Sequence, residues 1–380
     1  MLMKEKKIWL NIFIIASITY YTLQGACIYN GKMKILLAIA VVFGIVKIIT
    51  SLRVDIKSFL ILTGLVLVIL CIFLKNKDSR LLIAVVALMC GIGEIPEELI
   101  TCIFMTKLVS YIFVLFTGGY HHINGVALHG GMLLLMFMCK YAKKMEEIHY
   151  IIMIGATLIL ILYTKSGSSA VGLLFMLFLI LIYNSKGGKG VFNLKIIKYI
   201  YPICLFFNCF FALGIINAQI PMIGHIMPST VNKLYMIIAS FLDKLTTSRL
   251  TLVCYSFKWF GVSLFGGNID YDQLHIGQED YFNLDSGMIW LLQGWGIVIT
   301  LIFMILTICL MVYFMETERY HYLIAAIVIA FWAINEDMLV SFGTNFLMIF
   351  MGQAIEHIVL KRSLYYGDTK ENSLLLVRKK

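Results

Sequence analysis

From its first residues almost to its end, the chain alternates long apolar runs with short polar or charged connections. The runs are continuous and mostly about 15 to 22 residues long, as a helix crossing ~30 Å of hydrocarbon requires. Ten-residue segments of alternating apolar and polar positions, which mark a membrane barrel, do not occur. Runs bounded by charges, Gly or Asn predict helices at 8–29, 35–50, 58–74, 80–93, 99–116, 126–139, 148–164, 169–184, 198–217, 288–314, 321–335 and 339–359. The expected fold class is all-α and polytopic. About twelve transmembrane helices form a single integral membrane domain over residues 1–380, with both chain ends on one side.

One connection departs from the pattern. Residues 218–287 make a loop of some 70 residues, and a loop this long in a compact protein usually carries function. Inside it, Ser229 or Thr230 caps a predicted helix whose apolar positions are Val231, Leu234, Tyr235, Ile238 and Leu242. A second helix starts near Thr247 or Ser248 and puts Leu250, Val253, Cys254 and Phe257 on one face. Both are expected to lie along the membrane surface, partly buried against the bundle. No two-fold internal repeat and no paired broken helices of the transporter kind are visible.

Composition agrees with the pattern: 61% of the 380 residues are hydrophobic and 14% charged, with a mean hydropathy of +0.92. That leaves too little polar surface for a water-soluble domain. The start, Met-Leu-Met-Lys-Glu-Lys-Lys before a long apolar run without a prompt small-x-small site, reads as an uncleaved signal anchor. The nine cysteines stand singly, without CxxC or Cys/His metal spacing, and read as small packing residues. With the N-terminus cytoplasmic, nineteen Lys and Arg fall inside and ten outside, four of the ten in the long loop. The expectation is a multi-pass plasma-membrane protein with cytoplasmic N- and C-termini and an extracytoplasmic loop. The net charge of +10 then reflects topology and anionic headgroups, not nucleic acid.

Against this background a few polar residues stand out. The chain has six arginines and twenty-five lysines, and Arg249 is the one arginine in the long loop. It falls in the first turn of a predicted helix, where unpaired N–H groups favour anions. Its fork geometry reads either as a pyrophosphate clamp or as an arginine snorkelling to headgroups. Asp285, in Asn-Leu-Asp-Ser-Gly before the tenth span, reads either as a carboxylate that orients or deprotonates a hydroxyl or as a helix N-cap. His121, His122 and His129 cluster between the fifth and sixth spans without a Cys or carboxylate at metal spacing, so no metal is expected there. Hydrogen bonding to a polar substrate suits them better, with His129 beside Gly130 and Gly131 best placed. Lys165, in Thr-Lys-Ser-Gly-Ser-Ser, reads as an anion contact among small neighbours or as a solvated turn lysine, and Lys244 is a further substrate-binding candidate in the long loop. Asp270-Tyr271-Asp272 looks superficially like a metal–nucleotide-sugar motif, but nucleotide sugars are cytoplasmic and this loop faces outside. Glu94, Glu97 and Glu98 around Pro96, and Glu336 with Asp337, read as polar caps at opposite interfaces.

Three segments carry a resemblance. They are Thr-Ser-Arg-Leu-Thr-Leu (247–252), Phe-Gly-Val-Ser-Leu-Phe-Gly-Gly-Asn-Ile (260–269) and Leu-Asp-Ser-Gly-Met-Ile-Trp-Leu-Leu-Gln-Gly-Trp-Gly-Ile (284–297). In order and spacing they resemble the end of the large loop in Wzy-type polysaccharide polymerases, which are related to O-antigen ligases. The resemblance implies transfer from an oligosaccharide on undecaprenyl pyrophosphate to the terminal sugar hydroxyl of another lipid-linked repeat unit. It places the reaction at the outer face of the plasma membrane, without nucleotide sugar, metal or other cofactor, beside a flippase and a chain-length regulator. By the same resemblance Arg249 holds the pyrophosphate, Asp285 serves the acceptor hydroxyl and His129 matches a substrate-binding histidine; His122, Lys165 and Lys244 are further candidate substrate contacts. The chain departs from the family pattern in three places. The arginine of a Thr-Gly-Ser-Arg-Thr segment between spans seven and eight is missing, with Lys165 as its candidate substitute, the histidine segment lacks its Pro and Asn, and Ser286 replaces an Asn. A ligase that moves finished chain to another acceptor shares the same donor and loop. A flippase for the same glycolipid is the alternative from a different class, expected to show two repeated halves and buried charges.

Overall fold

The computed structural model describes residues 2–51, 78–219, 229–245, 248–267, 269 and 285–367. The span expected at 58–74 and part of the long loop, including Asp270-Tyr271-Asp272, lie outside the described residues. In chain order the helices are α1 (Leu2–Leu23), α2 (Lys34–Ser51), α3 (Ser79–Cys90), α4 (Pro96–Phe116), α5 (Ile123–Tyr141), α6 (Glu147–Thr164) and α7 (Gly167–Asn184). There follow α8 (Gly188–Phe192), α9 (Ile200–Gln219), α10 (Ser229–Leu245), α11 (Arg249–Phe260), α12 (Gly287–Glu316), α13 (Tyr320–Trp332) and α14 (Met348–Gly367). Among the described residues there is no strand, only an isolated bridge between Ala26 and Tyr120.

Seven of the described helices are long and apolar enough to cross a membrane, and Lys7–Leu23, Ser79–Cys90 and Tyr320–Trp332 are shorter apolar helices. Their outward faces are apolar as well: Ile49, Phe116, Leu162, Leu181 and Phe206 are between 62% and 87% exposed. Water does not tolerate so continuous an apolar exterior, whereas lipid does. The chain is an α-helical polytopic membrane protein.

At the centre stands α13, buried on nearly every side. Its 13 residues rise only about 20 Å, and it is enclosed by neighbouring helices rather than by lipid. Trp332 at its end presses on α5 and α7 where Gly131 and Gly172 have no side chain: a Cβ there would stand 2.4 Å and 2.7 Å from the indole.

Two features correct the expected spans. The last helix does not run over 339–359 but starts at Met348, and residues 333–347 form a series of turns. Leu339, Val340, Phe342 and Phe346 in that segment are fully buried. Irregular backbone inside a membrane bundle must find its partners in the protein. Here Asn345 Nδ2 donates to Leu339 O at 2.9 Å, Thr344 Oγ1 to Met338 O at 2.8 Å and Lys107 Nζ to Gly343 O at 3.0 Å.

The second feature lies in α12, whose hydrogen bonding widens into a π turn at Leu291–Trp295. The backbone groups this releases are taken by the segment after α11. Gly267 N donates to Gln293 O at 3.0 Å, Ile297 N to Ser263 O at 3.0 Å and Val298 N to Leu264 O at 3.1 Å. Gly266 and Gly296 permit the approach, at φ 69° and 86° and with no room for a Cβ between the two backbones. The segment after α11 is thereby clamped onto a spanning helix.

The two loop helices form as expected, and α11 buries Leu250, Val253 and Cys254. On α10 the buried residues are Tyr235 and Ala239, while Leu234 and Ile238 are exposed together with Ile237 and Phe241. This helix therefore has two apolar faces, one against the protein and one outward, as a helix lying in a membrane surface needs.

At the bundle end where α4 starts, the glutamates are not simple caps. Glu94 pairs with the buried Lys47 at 2.5 Å, Glu97 with Lys143 at 2.8 Å and Arg319 at 3.7 Å, and Glu98 with Lys7 at 2.7 Å.

Candidate functional site

Several helix ends meet at the opposite end of the bundle, and Arg249 lies between them. Its position is set locally. Asp243, near the end of α10, accepts from Thr251 N at 2.8 Å and Thr251 Oγ1 at 2.7 Å, so this carboxylate satisfies the N-terminus of α11. Ser248 takes a left-handed conformation at φ 64°, its N–H bonded to Asp243 O, and turns the chain sharply into the helix. Burial of Leu250 and Cys254 beside Ile215 of α9 and Ala239 of α10 seats α11.

Arg249 heads that helix with its side chain only 12% exposed. Its Nη1 donates to Glu336 Oε1 at 3.1 Å, and its Nη2 stands 3.4 Å from Asp285 Oδ2. Ser168, in the first turn of α7, donates to the same Glu336 oxygen. Ser286 Oγ accepts from Ile289 N at 3.4 Å and caps α12, which leaves Asp285 to face the arginine.

The segments carrying the two carboxylates are tied together. Gly287 N donates to Glu336 O at 3.1 Å. Asn208, buried in α9, donates to Ser286 Oγ at 2.6 Å and to Ile334 O at 3.2 Å. A neighbouring brace holds the start of α3: Arg80 binds Asp337 at 2.9 Å and Asp78 at 3.1 Å, and lies 3.7 Å over the Trp290 ring. Trp295 Nε1 donates to Asp78 at 2.9 Å.

Two arginines thus meet four carboxylates at this end among the described residues, leaving the cluster with excess negative charge. Burial pushes the Asp285 carboxyl up to about 6; Arg249 opposes this, while Glu336 and Asp337 add to it. A carboxyl poised there exchanges a proton near neutral pH, as a general base does.

The structure brings together Arg249 and Asp285 of the residues expected from the sequence. His129 lies elsewhere: it is buried in α5, 2.5 Å from Lys107 Nζ and stacked on Tyr120 at 4.7 Å. Lys107 donates also to Thr22 Oγ1 at 3.0 Å, so His129 belongs to a buried polar network that holds the irregular 333–347 segment. His122 is exposed just before α5. Lys165 is exposed after α6, in left-handed conformation at φ 50°; its turn delivers Ser168 to the cluster. Lys244 is exposed in the last turn of α10.

Glu336, Asp337, Arg80 and Ser168 were not among the expected site residues. The signal available was the pair Glu336-Asp337 between two strongly apolar runs, since adjacent carboxylates there need cationic partners. No group of three or more His, Cys, Asp or Glu among the described residues is arranged to hold a metal ion. No family model, curated protein or solved structure matches the chain.

Proposed function

We propose that the chain is a polysaccharide polymerase of the plasma membrane. It joins oligosaccharide repeat units carried on undecaprenyl pyrophosphate, with its termini cytoplasmic and the Arg249 cluster at the outer face. The observation that carries this reading is Arg249 held between Asp285 and Glu336, with the Asp285 carboxyl pushed up to about 6. Such a set couples a proton acceptor to a cation for a leaving anion. The orientation rests on the charge count along the connections.

In the reaction so proposed, an acceptor sugar hydroxyl attacks the anomeric carbon of the donor chain. The new glycosidic bond forms as the bond to pyrophosphate breaks, and the bonding pair leaves with the pyrophosphate oxygen. The hydroxyl proton passes to Asp285. Neutralising that carboxylate weakens its hold on Arg249 as negative charge accumulates on the leaving group. The Nη2 arm of the guanidinium then turns to the phosphate oxygens, while Glu336 and Ser168 keep the other arm in place. Both substrates arrive in the membrane plane, so alignment supplies much of the remaining barrier reduction.

Deleting the gene and separating the surface polysaccharide by size tests the reading. Loss of the length ladder, with single lipid-linked units accumulating on the outer leaflet, is the expected result. Full-length chain left on its lipid carrier would show a ligase instead, and units retained in the inner leaflet a flippase.

A further inference from the structure

At the end of the bundle away from Arg249, a cavity of about 610 Å³ opens between the C-terminal ends of α5 and α7, the start of α6 and the start of α13. Lys143, Tyr150, Tyr183, Asn184, Lys189 and His321 line it, and no Asp or Glu among the described residues does. Lys143 is paired with Glu97, which stands outside the lining, whereas Lys189 makes no ion pair among the described residues.

The groups converging on this space are mainly donors. His321 is 7% exposed, and its Nε2 has no hydrogen-bond partner among the described residues. A buried orphan of this kind is costly unless a missing group completes it. The Tyr183 ring lies between His321 and Lys189, edge-on to the imidazole at 5.0 Å and 5.8 Å from Lys189 Nζ. Tyr150 OH donates to Asn184 Oδ1 at 3.3 Å, which fixes that amide with its N–H groups still available. Gly187, at φ 81° with open space where a Cβ would be, leaves the rim bare.

Ammonium, amide and imidazole groups around a carboxylate-free space complement an anion with several oxygens. Lys144, Lys186 and Lys198 carry further positive charge on the connections at this end. A basic pocket between helix ends at a bilayer edge is the geometry in which phosphate headgroups are held. We propose that this cavity is a phosphate-binding site, which takes the phosphate of an anionic phospholipid headgroup or of a soluble phosphate ester. It is separate from the Arg249 cluster and does not depend on the activity assigned there.

The test uses the purified full-length chain, delipidated in a neutral detergent. It is titrated in separate arms with inorganic phosphate, with phosphatidylglycerol and with phosphatidylcholine while the melting temperature is followed. A saturable rise with phosphatidylglycerol but not phosphatidylcholine is expected, with at least a fivefold weaker apparent affinity in Lys189→Glu and no change in Lys195→Glu. Lys189 and Lys195 are both exposed, so both variants keep the fold. A saturable rise with inorganic phosphate, weakened in the same way, assigns a soluble phosphate as sufficient; a response to phosphatidylglycerol alone assigns the lipid. No saturable rise in either anionic arm, or equal affinities for the two variants, overturns the site.

Discussion

Arg249 Nη1 lies 3.1 Å from Glu336 Oε1 across 87 residues of chain, and the two side chains are 12% and 11% exposed. The contact joins the long loop to the turn behind the central helix. Removing one partner of so enclosed a pair strands the other charge, a loss of about 3–5 kcal/mol. Arg249→Ala and Glu336→Gln should each lower the melting temperature in detergent, and the double variant should fall by clearly less than their sum. Strictly additive effects would show that the pair is not coupled. Arg249→Ala should also cut transfer by ~100-fold or more, because the leaving pyrophosphate loses its cation.

Asp285 sets the expected pH dependence. With its carboxyl pushed up to about 6, the ionised form that accepts a proton is lost below that pH. The transfer rate should fall about tenfold per pH unit below 6 and level off above it; an ordinary carboxylate would hold its plateau down to about 4. Asp285→Asn should flatten the profile at a rate ~100-fold lower or more. The stability effect runs the other way. A raised carboxyl favours the protonated fold, and that contribution is lost as pH rises from about 4 through about 6. Asp285→Asn should therefore melt above the parent at pH 7 and close to it at pH 4; a variant that melts lower at pH 7 would contradict the burial that raises this group.

The two variants separate what the sequence made visible from what it did not. Arg249 and Asp285 were readable because each stands at a helix start beside polar neighbours in a long loop. Glu336 was visible as a carboxylate but not as a partner, since nothing in a single sequence links residue 336 to residue 249. The unwound 333–347 segment was hidden for a different reason. Its residues are apolar because they are buried, and hydropathy scores a buried turn and a spanning helix alike. The two glycines beside His129 make room for Trp332 and Tyr111 around α5.

That placement of His129 gives its own test. The imidazole stacks on Tyr120 and meets Lys107, so His129→Ala should destabilise the protein by about 1–3 kcal/mol. Transfer per folded molecule should stay within a few-fold of the parent, in contrast to Arg249→Ala. A fall of ~100-fold or more per folded molecule, comparable to a lost catalytic group, would return His129 to the site.

The clamp between the loop and α12 explains why the Phe260–Ile269 segment is rich in small residues, and it can be broken without touching a charged group. A Cβ at Gly296 would stand 2.1 Å from Gly266 N, on a backbone at φ 86°. Gly296→Ala must then either accept an alanine at φ 86°, ψ 173°, a region used essentially only by glycine, at about 1–3 kcal/mol, or push the loop away. Gly267 is the control, since a Cβ there meets nothing within 4 Å. Undocking should loosen the end of the loop that leads to Asp285, while α11 keeps its own seat on α9 and α10. The expected outcome is faster proteolytic cleavage within residues 218–287 for Gly296→Ala, with transfer reduced through misplacement of Asp285 rather than loss of Arg249. Gly267→Ala should match the parent in both assays. Equal cleavage rates for all three proteins would mean that the backbone hydrogen bonds joining Ser263, Leu264 and Gly267 with α12 do not hold the loop.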